Sequence, residues 1–150
     1  MFLSKKIPPP IVTLIFGALI YCSAEYFYQF YFVYQAIVSF VIALIGTCIL
    51  SVAIVQFKQF KTTVNPLKPE SASALVTNGI FKFSRNPMYL GMLLLIISLW
   101  IKTGAVAGFV LLPCYVAYLN YFQIASEERA MRKLFTDSYD AYCQRARRWI

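Results

Sequence analysis

Four apolar stretches separated by charged segments constrain the fold of this chain more than any other feature. They cover residues 11–32, 33–57, 87–101 and 104–124. The first two exceed the roughly 20 residues that a helix needs to cross a hydrocarbon core of about 30 Å. The third is shorter, because its apolar part, residues 88–101, extends only about 21 Å as a helix. The pattern predicts an all-α, polytopic membrane protein with about four transmembrane helices.

A short turn, a long loop and a charged tail connect or follow the apolar stretches. The last two spans are joined by residues 102–104 alone, which predicts a tight turn and therefore a helical hairpin. Residues 58–86 form a loop that contains several turn signals. Residues 125–150 form a charged tail, in which we expect an amphipathic helix at the membrane surface. We expect the whole chain to be a single integral membrane domain.

The low proportion of charged residues excludes an ordinary soluble globular protein. Only 13% of the residues are charged and 60% are hydrophobic, whereas soluble domains average about 25% charged residues. The net charge of +8 comes from basic residues that gather between the apolar stretches. Their expected partners are therefore anionic lipid headgroups and not nucleic acid. The chain has no histidine and its four cysteines lack CxxC spacing, so we expect no metal site.

The distribution of basic residues predicts the orientation in the membrane. With four crossings, 13 of the 14 lysines and arginines fall on one side, and only Lys102 falls on the other. The positive-inside rule makes the basic side the cytoplasm. We therefore expect a multi-pass protein with both termini in the cytoplasm, in a bacterial inner membrane. The basic side holds Lys5, Lys6, Lys58, Lys61, Lys68, Lys82, Arg85, Arg129, Arg132, Lys133, Arg145, Arg147 and Arg148.

A polar motif, Arg85-Asn86-Pro87, begins the third helix. Asn86 is a favourable N-cap residue, and Pro87 suits the first helical turn. Because a helix N-terminus has free N–H groups and Arg85 adds a full charge, the motif predicts a binding site for a carboxylate or phosphate. Gly91 allows a ligand or another helix to approach the backbone. The alternative is a capped helix start whose arginine extends to the headgroups.

A pair of acids follows the fourth span. If the helix continues through Phe135, Glu127 and Glu128 flank its inward apolar stripe, where an unpaired charge is unfavourable. Both acids then need partners, and a cationic or hydroxyl-rich ligand would satisfy them. The alternative is a solvated helix with a Glu128–Arg132 ion pair worth roughly a few tenths of a kcal/mol. The stripe consists of Ile124, Met131 and Phe135, and Arg129 and Lys133 point away from it.

Together the two motifs resemble a family of integral membrane methyltransferases, the isoprenylcysteine carboxyl methyltransferase and phospholipid methyltransferase-like proteins. Residues 75–91 (LVTNGIFKFSRNPMYLG) are similar to the family block T-x-G-P-[FY]-x-x-x-R-[HN]-P-x-Y-x-G. The family ending is E-E-x-x-x-x-x-x-F-G-x-x-Y-x-x-Y, followed by R-W-I. The residues that resemble this ending are Glu127, Glu128, Phe135, Tyr139, Tyr142, Arg148, Trp149 and Ile150.

The resemblance implies methyl transfer from S-adenosylmethionine to a lipophilic acceptor at the cytoplasmic membrane face, without a Rossmann domain. The implied acceptor is a lipophilic small molecule or a lipid that enters between the helices from the bilayer. Carried over by position, Arg85 and Glu128 are the catalytic residues, and Gln123 is the substrate-binding residue. The implied cofactor-binding residues are Leu75, Val76, Phe81, Asn86, Pro87, Met88, Tyr89, Gly91 and Glu127.

Three residues depart from the family pattern. Asn86 replaces the histidine of eukaryotic members, and Thr136 replaces the glycine that follows Phe135. Gln123 stands where the family has an arginine linked to substrate, so the charge that would meet a substrate carboxylate is missing. The lack of histidine is compatible with methyl transfer from a sulfonium, which needs alignment and little acid–base help.

Two other functions fit parts of the sequence. A membrane reductase of the sterol or steroid type, which uses NADPH, shares part of the C-terminal pattern. Such reductases usually have more spans and more polar loop to hold the larger cofactor. A non-enzymatic, small helix-bundle scaffold is the other alternative, and it predicts that Arg85 and Glu127 tolerate substitution.

Overall fold

Five α-helices form the described part of the computed structural model, which covers residues 7–59 and 75–150. No strand occurs within these residues, and the all-α prediction is confirmed. A short 3-10 helix, Gly79–Lys82, precedes the third α-helix, and a π-helix, Leu119–Ile124, joins the fourth to the fifth. The α-helices are α1 (Pro9–Tyr26), α2 (Gln35–Gln59), α3 (Pro87–Thr103), α4 (Gly108–Tyr118) and α5 (Ala125–Arg145). Four of the basic residues that were predicted to lie on the cytoplasmic side are outside the described residues, namely Lys5, Lys6, Lys61 and Lys68.

Each predicted span contains a helix, but α1 ends at Tyr26 and not at residue 32, and α4 begins at Gly108 and not at residue 104. Within the described residues, α1, α2 and the continuous 38-residue helix from Gly108 to Arg145 are long and apolar enough to cross a membrane. α3 has 17 residues, or about 26 Å, and is the short span expected from the sequence. Charges in this segment begin at Glu127, so residues 108–126 are uncharged and extend about 29 Å, close to the hydrocarbon thickness. The uncharged part that could cross a membrane therefore ends before Glu127, near the start of α5.

The turn between α3 and α4 holds the loop that follows α1. α1 ends at Tyr26, before the end of the first apolar stretch. Residues 27–34 are not helical and connect α1 to α2. The backbone N–H of Phe30 donates to the carbonyl of Gly104 at 2.8 Å. Gly104 ends α3 in the left-handed conformation (φ 66°), where a side chain would overlap the backbone of Phe30. A short turn does join α3 to α4 as predicted, but it consists of residues 104–107, because α3 continues through Lys102 and Thr103.

α2 and α3 form the largest helix–helix interface, and small residues allow their close approach. A Cβ atom on Gly91 would lie 2.9 Å from the carbonyl oxygen of Gly46, and one on Gly46 would lie 3.0 Å from the carbonyl oxygen of Gly91. Nearer the other end of α3, the hydroxyls of Ser39 and Ser98 each donate to the other's carbonyl, at 2.9 and 2.8 Å. These contacts fix the position of α3 against α2.

A kink divides α5 and turns its second half back toward the 3-10 helix. Thr136 has φ 38° and ψ −116°, which is not a helical conformation. Arg132 Nε lies 2.8 Å from Asp140 Oδ1, although residues eight positions apart in a straight helix are about 12 Å apart. Beyond the kink, the Tyr142 hydroxyl donates to the Phe81 carbonyl at 2.7 Å. The kink therefore brings the tail against the segment that precedes α3.

The last residues of the chain connect this segment to the π-helix. Arg147 forms an isolated parallel bridge with Ser84, and the N–H of Arg85 donates to the carbonyl of Arg147 at 2.9 Å. Two residues further on, Trp149 Nε1 donates to Asn120 Oδ1 at 3.1 Å. The C-terminal segment therefore lies across the start of α3.

Candidate functional site

Arg85 joins the segment before α3 to both ends of α5. Its Nη2 donates to Glu128 Oε1 at 3.0 Å, in the first turn of α5. Its Nη1 donates to the carbonyls of Ala146 at 2.8 Å and Cys143 at 3.2 Å, where α5 ends. Its Nε is buried and has no partner among the described residues. Because the side chain is only 14% exposed, Arg85 acts as a fixed internal cation and not as an arginine that extends to the headgroups.

Glu128 binds two arginines. Arg148 donates to it through Nη2 at 2.6 Å and Nε at 3.1 Å, in addition to the contact from Arg85. Burial alone would raise the pKa of Glu128, but the hydrogen bonds from Arg148 and Arg85 hold that pKa below its usual value. Glu128 is therefore ionised at neutral pH. The alternative Glu128–Arg132 pair is wrong, because Arg132 pairs with Asp140 across the kink.

Glu127 is paired with a tyrosine of α3. The Tyr89 hydroxyl donates to Glu127 Oε1, and no described residue donates to Oε2. Burial raises the pKa of Glu127 to about 7; the hydrogen bond from Tyr89 opposes this rise, and the negative charge of Glu128 adds to it. Near neutral pH both protonation states of this carboxyl are populated. Adjacent glutamates therefore differ in charge state, because only Glu128 has basic partners.

The start of α3 has no side-chain cap. Asn86 occupies the N-cap position, as predicted, but its side chain does not bond to the helix. Its Nδ2 donates instead to the carbonyl of Arg148 at 3.0 Å. Pro87 is in the first turn and lacks an N–H, and no described group accepts a hydrogen bond from the N–H of Met88 or Tyr89. These two N–H groups lie at the positive end of the helix dipole, where an anion is favoured.

Four of the predicted cofactor-binding side chains meet in an apolar cluster beside these polar groups. Val76 and Phe81 are 5% and 3% exposed, and the Phe81 ring packs edge-on against Phe57 with centroids 5.0 Å apart. Leu75 and Met88 pack against the same cluster but are only partly buried. The protein itself therefore covers Val76 and Phe81, whereas Leu75 and Met88 have surface left for a ligand.

Two predicted site residues, Gly91 and Gln123, make structural contacts within the protein. Gly91 faces Gly46 of α2, so its lack of a side chain serves helix packing. Gln123 is 2% exposed in the π-helix, and its Nε2 donates to the carbonyl of Ile7 at 2.9 Å. Both residues are therefore engaged in contacts within the protein, and their predicted roles in binding stay predictions.

Arg148 was not predicted as a site residue, and the direct contact between Tyr89 and Glu127 was not predicted, although both of these residues were expected to bind the cofactor. Arg148 lies 20 residues after Glu128, and the two meet only because α5 bends at Thr136. The sequence carried one signal for Arg148, namely its place in the R-W-I ending of the resembling family. No spacing rule relates Tyr89 to Glu127, which lie on different helices.

Comparison with known proteins identifies the family. The family model described as phospholipid methyltransferase matches residues 34–138, which is more than half of the chain and runs from the start of α2 into the second half of α5. An uncharacterized protein of Haemophilus influenzae is 33% identical over 63 residues, which is 42% of this chain and 100% of that protein. No solved structure matches the chain. With its membrane-spanning helices, this chain belongs to the phospholipid methyltransferase family of membrane methyltransferases.

Proposed function

We propose that this chain transfers a methyl group from S-adenosylmethionine to a lipid acceptor at the cytoplasmic face of a bacterial inner membrane. The observation that carries the proposal is the meeting of the α3 start with the first turn of α5. Arg85 lies 3.0 Å from Glu128, and Tyr89 donates to Glu127. The two motifs therefore form one site, although they are about forty residues apart in the chain. The full chain, residues 1–150, acts as one membrane domain.

The residues present fit S-adenosylmethionine. The open N–H groups of Met88 and Tyr89 suit its carboxylate, since a helix start favours an anion. The Oε2 of Glu127, to which no described residue donates, suits a ribose hydroxyl or the ammonium group. Leu75 and Met88 offer apolar surface for the adenine. The buried Nε of Arg85, which lacks a partner among the described residues, is a further donor in the same cluster.

Within this site Arg85 and Glu128 position the reactants and do not move protons, and an amine acceptor would release the proton that it loses on methylation to water. The cofactor supplies an electrophilic methyl group, so the enzyme mainly has to align donor and acceptor. Arg85 and Glu128 hold the start of α3 against α5 through a partly buried, charge-assisted contact. We propose that Arg85 and Glu128 are required for activity because this contact sets the relative position of the two halves of the site. Neither residue needs to change its protonation state.

The acceptor is proposed to reach the site from the bilayer. α3 and the α4–π-helix segment approach the site from the membrane, whereas α5 and the C-terminal segment cover it from the opposite side. An acceptor that carries acyl chains can place its headgroup beside the site while its chains stay between lipid tails. The family assignment supports a lipid acceptor over a small soluble one.

Calorimetric titration of the purified protein in detergent tests the proposal. We expect S-adenosylhomocysteine to bind saturably and NADPH not to bind. Glu127→Ala should weaken S-adenosylhomocysteine binding by about tenfold or more, because it removes a charge-assisted hydrogen bond. Asp140→Asn, an exposed acid on the same helix, is the control and should bind as the wild type does.

Three results would contradict the proposal. Binding of NADPH alone would indicate the reductase alternative. Binding of neither ligand would favour the scaffold alternative. Equal affinity of wild type and Glu127→Ala for S-adenosylhomocysteine would show that the cofactor lies elsewhere.

A further inference from the structure

The polar side chains of the site, Arg85, Tyr89, Glu127 and Glu128, form what we call the site cluster. Among the described residues, Arg148 is the one arginine outside this cluster that contacts it and still has a donor open to solvent. Its Nε and Nη2 bind Glu128, but no described residue accepts a hydrogen bond from its Nη1. Its side chain is 41% exposed, compared with 14% for Arg85. Arg85 cannot meet an external ligand in the same way, because both of its Nη atoms are bound to Glu128 and to backbone carbonyls.

The other described arginines of the tail are farther from the cluster or already paired. Arg132 binds Asp140, and Arg145 Nε donates to the Ala141 carbonyl. The side chains of Arg129 and Arg147 are exposed and make no described contact with Glu127 or Glu128. Gln123, the residue that the sequence pattern assigned to substrate, is buried against Ile7. An anionic group of an acceptor bound beside the glutamates would therefore meet Arg148.

The surroundings of Arg148 place it at the level of the lipid headgroups. The next residue, Trp149, packs against the apolar helix core and bonds to Asn120 of the π-helix, an arrangement typical of tryptophan at a membrane interface. Phe83 and Ile150 are 74% and 75% exposed, and the Ser84–Arg147 bridge holds Phe83 close to the C-terminal segment. These apolar side chains flank an open cation, which suits a group that carries both an anion and acyl chains.

We propose that Arg148 binds the phosphate of a phospholipid acceptor and so selects acceptors with a phosphodiester headgroup. Its guanidinium binds Glu128 along one edge and offers its free Nη1 to a phosphate oxygen. Glu128 keeps the guanidinium in a fixed orientation, so little side-chain freedom is lost when the lipid binds. This inference rests on the proposed function, because it assumes that the acceptor reacts beside Glu127.

The test compares three probes by titration of the detergent-solubilised full chain, with and without S-adenosylhomocysteine. The probes are dihexanoylphosphatidylethanolamine, dihexanoylglycerol and inorganic phosphate. We expect the wild type to bind the phospholipid about tenfold more tightly than the diacylglycerol, and inorganic phosphate to bind more weakly than the phospholipid. Arg148→Gln should reduce the ratio of the two lipid affinities to about one. Arg147→Gln removes the same charge from an exposed neighbour and should retain the wild-type ratio.

The ratio of affinities separates phosphate recognition from general damage to the site. If Arg148→Gln does not fold, Arg148→Lys keeps the charge beside Glu128 and should still reduce the ratio, because lysine lacks the planar fork. A wild-type preference that persists in Arg148→Gln would overturn the inference, as would equal binding of the two lipids by the wild type. Inorganic phosphate that binds as tightly as the phospholipid would indicate a free phosphate site instead. Failure of S-adenosylhomocysteine to bind would contradict the proposed function, whereas the phospholipid preference can be measured without it.

Discussion

Glu128 links the two halves of the site through two guanidinium groups. Its side chain is 14% exposed and accepts hydrogen bonds from Arg85 and Arg148. Glu128→Gln would leave the buried Arg85 without a counter-charge, so we expect a loss of about 3 kcal/mol in the free energy of unfolding. Asp140→Asn breaks an exposed pair with Arg132 and should destabilise the protein much less, because solvent screens that pair. Thermal unfolding in detergent measures both, and equal destabilisation by the two variants would contradict this role of Glu128.

Glu127 gives the site a pH dependence. Its pKa is about 7, above its ordinary value, so the free protein holds a proton there below pH 7. A ligand that binds the carboxylate must displace this proton, and its affinity should therefore rise with pH and level off above pH 7. We expect S-adenosylhomocysteine to bind about tenfold more weakly at pH 6 than at pH 8.

The control for this pH dependence is the amide variant. Glu127→Gln should give an affinity that is weak and nearly constant from pH 5.5 to 8, a range over which Glu128 stays ionised because its pKa is lowered. A wild-type affinity that is independent of pH over the same range would show that the ligand does not bind the Glu127 carboxylate.

The kink in α5 depends on a residue that is poorly suited to it. Thr136 is β-branched and has φ 38°, a conformation that favours glycine. Replacement with glycine should relieve strain and stabilise the protein by about 1 kcal/mol, even though glycine has more freedom in the unfolded chain. The matched control is Ser138→Gly, in regular helix two residues away, which should destabilise by roughly 1 kcal/mol. If both variants lower the unfolding temperature, the backbone at position 136 is not strained.

The packing of α2 on α3 assigns Gly91 a structural role that can be tested. Gly91→Ala and Gly46→Ala would each place a Cβ atom about 3 Å from backbone atoms of the other helix, which forces the helices apart. We expect each to lower stability by about 1 to 3 kcal/mol. Gly17→Ala is the control, because its Cβ would meet Leu99 Cδ2 at an ordinary distance of 3.6 Å. A Gly91→Ala variant that is as stable as Gly17→Ala would contradict the packing role.

At the scale of the whole molecule, the distribution of charge predicts the topology. Lys102 lies in the last turn of α3, whereas Arg129 lies on α5 beyond the other end of α4. In a variant without its native cysteines, a membrane-impermeant maleimide applied to spheroplasts should label Lys102→Cys and not Arg129→Cys. Both positions are exposed, so both should be labelled after lysis. Labelling of Arg129→Cys alone in intact spheroplasts would reverse the orientation.

Much of the fold could be predicted from periodicity and composition. The structure confirms three features that depend on local sequence. They are the long apolar helices, the turn at Gly104, and the apolar face of α5 that packs inward. The end of α1 at Tyr26 was less predictable, because the aromatic residues after it are equally apolar whether helical or extended. Their extended form depends on hydrogen bonds to the turn at Gly104, a partner distant in sequence.

The site was predicted in part. The motifs around Arg85 and the two glutamates pointed to one cluster, and the structure places Arg85 against Glu128. The uses of Asn86 and Gln123 were not predictable, because an amide at a helix end or in a membrane helix bonds to whichever carbonyl the fold brings near. For these two residues the carbonyls belong to Arg148 and Ile7.

The sequence by itself determined which segments are helical and apolar, since these properties follow from the order of side chains along each segment. It also determined which charged residues lie outside the hydrocarbon core, because burial of an unpaired charge is too unfavourable. Only the tertiary structure decided which carboxyl is ionised: Glu128 lies between two arginines, and Glu127 faces a tyrosine. A pKa depends on groups within a few ångströms, and here the kink at Thr136 and the packing of α3 bring those groups together.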